Sequence, residues 1–285
     1  MFIKLWLIDL MRVTKIDSLD LPDLEPYRTM RRPVEHRSMG IFVAEGEKVV
    51  RRFVESNLKI VSMLMTQEWL NEYSVLLDNR EIEEGIFVAE KSHLEQIVGY
   101  RLHQGIMAIG RVPEKVDLFD FTKKSSRPRL FVTVDGIANS ENMGVIVRNC
   151  VAFGAQVLIF DETSCDPYLR RSVRNSMGTI FNLSIAKVDD LSGSMKKFRD
   201  EFSIKVIAAD PKKESCEISG FDLSGDICLV FGSEGEGISR EILDHCSTRL
   251  FIPMYHDMDS INVASSVGVV LYEAVRQRKK QVVHC

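Results

Sequence analysis

The sequence predicts an α/β protein of two domains, the smaller one first. Short aliphatic or β-branched runs alternate with helix-length segments along both halves of the chain. Between the halves, residues 113–129 mix Pro, Lys, Ser and Asp without a period, as a linker does. The length of 285 residues exceeds one typical domain, so two cores are expected. The expected divisions are an extension over 1–26, a first domain over 27–112, the linker over 113–129 and a second domain over 130–285.

The opening residues 1–11 are apolar, but Lys4 and Asp9 interrupt them, which makes a poor membrane span and a poor signal core. They read as an upstream start or a loosely ordered extension, with Met11 the expected beginning. In the first domain the pattern gives strands at 40–44, 60–65, 86–89 and 106–109, with helices at 47–56, 68–73 and 91–98. In the second it gives strands at 130–134, 157–160, 205–209 and 227–231. Such near-continuous apolar runs belong to parallel sheets covered on both faces. Helices are expected at 143–153, stopped by Gly154, at 167–175 and at 261–278. A further strand ends at Ile252-Pro253-Met254, where Pro removes a donor and forces a turn.

The net charge of -4 gives no global attraction to phosphate, so a nucleic-acid surface has to be local. Two patches qualify, one of Arg28, Arg31, Arg32, His36 and Arg37, the other of Arg170, Arg171 and Arg174. Each is either a solvated helix face or an RNA contact. The six cysteines show no C-x-x-C pair and no His at ligand spacing, which argues against a zinc site or a disulfide framework. No metal is expected. Reduced thiols in a cytoplasmic protein fit best, with Cys150 and Cys228 as core residues.

Three segments carry chemistry. Gly232-Ser-Glu-Gly-Glu-Gly237 follows the run Ile227-Cys-Leu-Val-Phe231, placing glycine-freed amides beyond a strand's carboxyl end, where α/β sheets bind ligands. As a dinucleotide fingerprint it fails, because Glu234 and Glu236 would repel a pyrophosphate. A sulfonium cofactor has no phosphate and is cationic, so the loop suits S-adenosylmethionine; otherwise it is a Gly-rich turn. In Asn142-Met-Gly-Val-Ile-Val-Arg148, Asn142 either caps a helix starting at Met143 or serves a site. Arg148 sits among Val145, Ile146, Val147 and Cys150, and needs a phosphate or carboxylate partner if that helix is buried. Ser260 reads as the N-cap of the last helix and Asn262 as part of its first turn. The small residues Ala264, Ser265, Ser266 and Gly268 then allow close helix packing.

Together these segments resemble, in order and form, the three signature motifs of the SpoU/TrmH RNA 2'-O-ribose methyltransferases of the SPOUT superfamily. The resemblance covers about residues 130–277, including Ser176-Met-Gly178. The first half is similar to that family's substrate-binding domain, a ribosomal-protein-type RNA-binding fold, through Phe42-Val-Ala-Glu45-Gly46 and Gln104-Gly105-Ile106. The resemblance implies a carboxy-terminal trefoil-knotted methyltransferase domain, an exception to the rule against knots, behind a smaller α/β RNA-binding domain. It implies S-adenosylmethionine held by main chain at Gly232, Gly235, Ile252, Met254 and Ile261, the last standing where Leu is usual. Asn142, Arg148, Glu234, Ser260 and Asn262 are implied to line the catalytic site. Arg148 would meet the target phosphate and the developing alkoxide, and Glu234 would fix Arg148 or Asn142. Ribosomal or transfer RNA is the implied partner, gripped by the first domain and by Arg31, Arg32, Arg170, Arg171 and Arg174. A homodimer through the knot domain is implied, each site borrowing from both subunits. Two other classes compete: an RNA-binding module of the same fold without catalysis, and a nicotinamide-dependent oxidoreductase, which the acidic Gly-rich loop disfavours.

Overall fold

Two sheets carry the two halves of the chain in a computed structural model that describes residues 12–16, 18, 20–101, 104–210, 215–256, 258 and 260–283. The expected start at Met11 lies outside the described residues. The chain divides into two compact units, one made by the sequence up to Pro113 with Tyr168–Phe181, the other by Glu114–Pro167 with Asn182 onward.

In the first unit β1 (Val13–Lys15), β2 (Ile41–Glu45), β3 (Ile60–Met65), β4 (Ile82–Val88) and β5 (Ile106–Arg111) form a mixed sheet of order β1-β4-β3-β5-β2. The helix Glu47–Glu55 buries Val49, Val50, Phe53 and Val54, an i, i+1, i+4, i+5 stripe that seats it on the sheet. Phe42 and Phe53 meet edge to face at 5.0 Å, above Gly110. A Cβ on Gly110 would lie 2.4 Å from each of those rings, so only glycine fits there.

Two expectations are corrected here. Part of the expected 1–26 extension belongs to this unit, since β1 pairs in parallel with β4 and Ile16 and Leu24 are core residues. A strand of three residues carries too little alternation to be read, and it gains its hydrogen bonds from the edge of β4. The segment 168–181, expected in the second domain, packs with the first unit: Tyr168 and Phe181 bring their rings to 5.6 and 5.3 Å from Phe42. Its helix is Arg170–Asn175.

The second unit holds β6 (Leu130–Asp135), β7 (Val157–Phe160), β8 (Ser184–Lys187), β9 (Lys205–Ala209), β10 (Cys216–Glu217), β11 (Ile227–Gly232) and β12 (Thr248–Phe251). Their order is β10-β12-β9-β11-β6-β7-β8, and every pairing is parallel. The wholly buried runs of β6 and β7 fit a sheet covered on both faces. All but Pro113 of the residues expected as a linker are part of this unit as well. Asp117 accepts from the amides of Phe119 and Asp120 and so caps the helix Leu118–Lys124, whose Leu118 is buried in the core. Lysines and serines around these anchors disguise them as linker. The helix Leu191–Phe202, capped by Asp190, was not read from the sequence.

Strand addition reverses direction between β8 and β9. That leaves β6 and β11 side by side, with Asp135 paired to Gly232 at their carboxyl ends. This is the switch point of the sheet, where open α/β folds place ligands.

Candidate active site

The Gly-rich segment forms a closed turn beyond β11. Ser233 and Gly237 exchange both backbone hydrogen bonds at 3.1 Å, and the amide of Glu236 donates to the Ser233 hydroxyl at 3.1 Å. Gly232 is required sterically, because a Cβ there would lie 2.1 Å from the Gly237 carbonyl carbon and 2.3 Å from the Ile238 nitrogen. Gly237 is required conformationally, at φ 75. Buried Asp135 at the end of β6 accepts from the Ser239 amide at 2.7 Å and clasps the far side of the turn.

This turn, the end of β12 and the approach to the last helix enclose a cavity of about 320 Å³. Gly232, Gly235, Ile252, Met254 and Ile261 all line it, and so do Glu234 and Ser260. Asp210, Glu234 and Glu236 give the lining a negative character, while Phe231, Leu250 and Val270 supply an apolar wall.

Glu234 joins the other two motifs. Its Oε1 accepts from Asn262 Nδ2 at 2.7 Å and from Asn142 Nδ2 at 3.1 Å, and Asn262 Nδ2 also donates to Asn142 Oδ1 at 3.0 Å. The amide orientations follow from backbone partners. Asn262 Oδ1 accepts from the amides of Ala264 and Ser265 at 3.0 and 3.4 Å, so its nitrogen has to face Glu234. Asn262, and not Ser260, therefore caps the helix Val263–Val283. At the first motif the cap is Asn139, which accepts from Glu141 and Asn142, and the helix is Ser140–Ala152. This frees the Asn142 side chain for the cluster. The two helices touch through small residues: Asn149 donates to the Ala264 carbonyl at 2.7 Å, and a Cβ on Gly268 would lie 3.3 Å from that same amide nitrogen.

Arg148 stands apart. It is exposed and makes no hydrogen bond or ion pair among the described residues, and Glu234 holds the two asparagines instead of it. In the first unit Arg170 is half-buried, donating to Glu45 at 3.0 Å and to the Tyr100 hydroxyl at 2.7 Å. Arg31 lies over the Tyr100 ring at 4.9 Å, and Arg32 pairs with Glu35 at 3.2 Å. Arg171 and Arg174 are exposed, with Glu45 3.9 Å from Arg174. His36 is buried, which lowers its pKa and keeps it neutral, so it adds no charge to the basic patch.

Residues 129–272 match the SpoU rRNA Methylase family. The chain belongs to that family. Among its relatives is an uncharacterized tRNA/rRNA methyltransferase of Mycobacterium tuberculosis, 27% identical over 265 residues that make up 90% of each chain. Solved structures share the fold, among them two methyltransferases. The SpoU methyltransferase AviRb of Streptomyces viridochromogenes, in complex with AdoMet, is 24% identical with a TM-score of 0.78, over 91% of this chain and 100% of that one. An RNA 2'-O ribose methyltransferase is 22% identical with a TM-score of 0.74, over 93% of this chain and 100% of the other. Membership of the SpoU family makes this chain a methyltransferase, and the site just described lies inside the matched segment. Among the described residues no helix is long and apolar enough to cross a membrane, and no group of three or more His, Cys, Asp or Glu residues could hold a metal.

Asp135, Asn139 and Asn149 went unread as parts of the site. Asp135 had a signal, a carboxylate closing an apolar strand just before a glycine. Asn139 also had one, standing directly before Ser140-Glu141 at a helix start. Asn149 had none, because its contact with Ala264 depends on tertiary packing.

Proposed function

We propose that this chain transfers the methyl group of S-adenosylmethionine to a ribose 2'-hydroxyl in structured ribosomal or transfer RNA. The observation that carries this reading is the Asn142–Glu234–Asn262 cluster, which ties all three motifs together beside the cavity. The cavity fits the cofactor in its chemistry: carboxylates at Asp210, Glu234 and Glu236 for a cationic ligand, main chain exposed at Gly235, and an apolar wall for a purine ring. When bound, S-adenosylmethionine supplies an electrophilic methyl group on a cationic sulfur. Main chain at Gly232, Gly235, Ile252, Met254 and Ile261 would hold it.

The cluster's hydrogen bonds join exposed groups and add little to stability, so its value lies in fixing direction. Two amide donors hold the Glu234 carboxylate still, and Ser260 stands on the same wall. Arg148, with its guanidinium free among the described residues, would bind the phosphate of the target nucleotide and steady the developing alkoxide. It does not line the cavity of its own chain. That supports a homodimer in which each site draws on both subunits. The exposed Val145, Val269 and Tyr272, on the two packed helices, offer the apolar contact such a dimer needs. The carboxy-terminal segment is read as threaded into a trefoil knot, in line with the placing of β12 between β9 and β10.

A direct experiment follows. Unmodified ribosomal and transfer RNA are incubated with methyl-labelled cofactor, then hydrolysed in alkali. A 2'-O-methyl group removes the nucleophile for strand cleavage, so label is expected in alkali-resistant dinucleotides; label confined to mononucleotides, where a methylated base would leave it, would refute ribose methylation. Arg148→Ala is expected to abolish transfer while the cofactor still raises the melting temperature. Turnover retained in that variant would remove Arg148 from the chemistry.

A further inference from the structure

We propose that Tyr255 is the platform on which a nucleobase of the RNA substrate stacks when the target ribose reaches the cavity. The proposal rests on the reading of the chain as an RNA ribose methyltransferase and adds to it the group that holds the unstacked nucleotide.

Tyr255 is 86% exposed, more than any other large hydrophobic side chain among the described residues. It follows Met254 directly, and Met254, Ser260 and Ile261 all line the cavity. Tyr255 is thus an exposed residue next in the chain to one that lines the cavity. Its hydroxyl has no hydrogen-bond partner among the described residues, and its one ring contact there is with His256, at 6.4 Å between centroids. His256 itself sits at φ 62, a left-handed backbone that residues with a Cβ adopt only where a turn demands it. Such positions gather at functional sites.

The chemistry then selects the occupant. In-line transfer brings the 2'-oxygen within roughly 3–3.5 Å of the methyl carbon, so the base on that ribose, or its neighbour, has to lie close to the cavity mouth. Bases lifted out of a helix are held by stacking on aromatic rings. This loop itself is poorly suited to hold a phosphate, because no Lys or Arg occurs between Arg249 and Arg276. What the loop offers is a flat face and a phenol. Every base has a π-face, so Tyr255 would set the affinity for an unstacked nucleotide and leave base identity unread.

The full chain is tested as wild type, Tyr255→Ala and Tyr255→Phe. Binding of single-stranded oligoadenylate and oligouridylate is followed by anisotropy, and KM and kcat are measured on an unmodified RNA that the wild type methylates. Tyr255→Ala is expected to weaken oligonucleotide binding and raise KM by roughly 5- to 150-fold, the range of one lost stack, with a smaller change in kcat. Tyr255→Phe should restore both. Cofactor affinity without RNA and the sedimentation coefficient should match the wild type. Unchanged oligonucleotide binding in Tyr255→Ala would overturn the proposal. So would a matching loss of cofactor affinity, which would place the ring on the cofactor, or a change of oligomeric state, which would place it in a subunit contact. A wild type that binds the oligonucleotides through Tyr255 yet methylates no RNA would instead refute the enzymatic reading.

Discussion

Asn262 divides its amide between two tasks, its oxygen capping the last helix and its nitrogen reaching Glu234 and Asn142. Asn262→Ala should therefore cost about 1 kcal/mol of stability through the lost cap, or roughly 2–4 °C in melting temperature, and also disable methyl transfer. Asn262→Asp separates the two effects: its carboxylate still caps the helix but faces Glu234 with like charge, so the melting temperature should hold while activity is lost. Calorimetry beside a transfer assay checks both variants. The resemblance named Asn142, Glu234 and Asn262 together, and the structure joins their side chains in one cluster, yet the caps are Asn139 and Asn262 where the sequence offered Asn142 and Ser260. Asparagine is equally at home as a cap and as a polar site residue, and only the path of the backbone decides between them. The thiols were more easily read. Burial pushes Cys150 upward and raises Cys228 to about 12, so both remain protonated and inert through the neutral range. Among the described cysteines, an alkylating reagent at neutral pH should label exposed Cys216 first and spare Cys150 and Cys228 until unfolding, as mass spectrometry would record.

At the level of elements, the turn after β11 tolerates change very unevenly. Gly232→Ala drives a methyl group into the Gly237 carbonyl, which has to move or break the paired hydrogen bonds with Ser233. Its β-strand should persist while the thermal shift given by S-adenosylmethionine disappears. Gly235→Ala meets nothing within 4 Å and should leave the turn closed. Dichroism with and without cofactor distinguishes the two. The strands that could be read, β2, β3, the second half of β4, β5, β6, β7, β9 and β11, all carry runs of buried, mostly apolar residues, which stand out against the polar segments between them. β1 and β10, at three and two residues, are set by their neighbours and carry no period of their own. The helix Leu191–Phe202 is a different case: Leu191, Met195 and Phe198 stand at i, i+4 and i+7 behind a capping Asp190, so its signal was present and went unread.

For the whole molecule, a net charge of -4 confines RNA binding to local surfaces. The structure sorts the arginines available for it. Arg170 is bound to Glu45 and Tyr100, whereas Arg171 and Arg174 are exposed. The double variant Arg171→Ala/Arg174→Ala should weaken RNA binding and reduce the salt slope of log K by about 1.4 to 1.8, two phosphate contacts' worth. A slope unchanged from the wild type would remove both residues from the interface. Arg170→Ala should act mainly on stability, since it strips a half-buried Glu45 of its nearest cation.

The first unit is discontinuous in sequence, and that has a consequence for how the protein is made. A ribosome that has released only the stretch up to Pro113 holds an unfinished body, whose Phe42 and Phe53 still await Tyr168 and Phe181. Completion has to wait for about 70 further residues, during which the nascent chain presents that aromatic face to solvent and to chaperones.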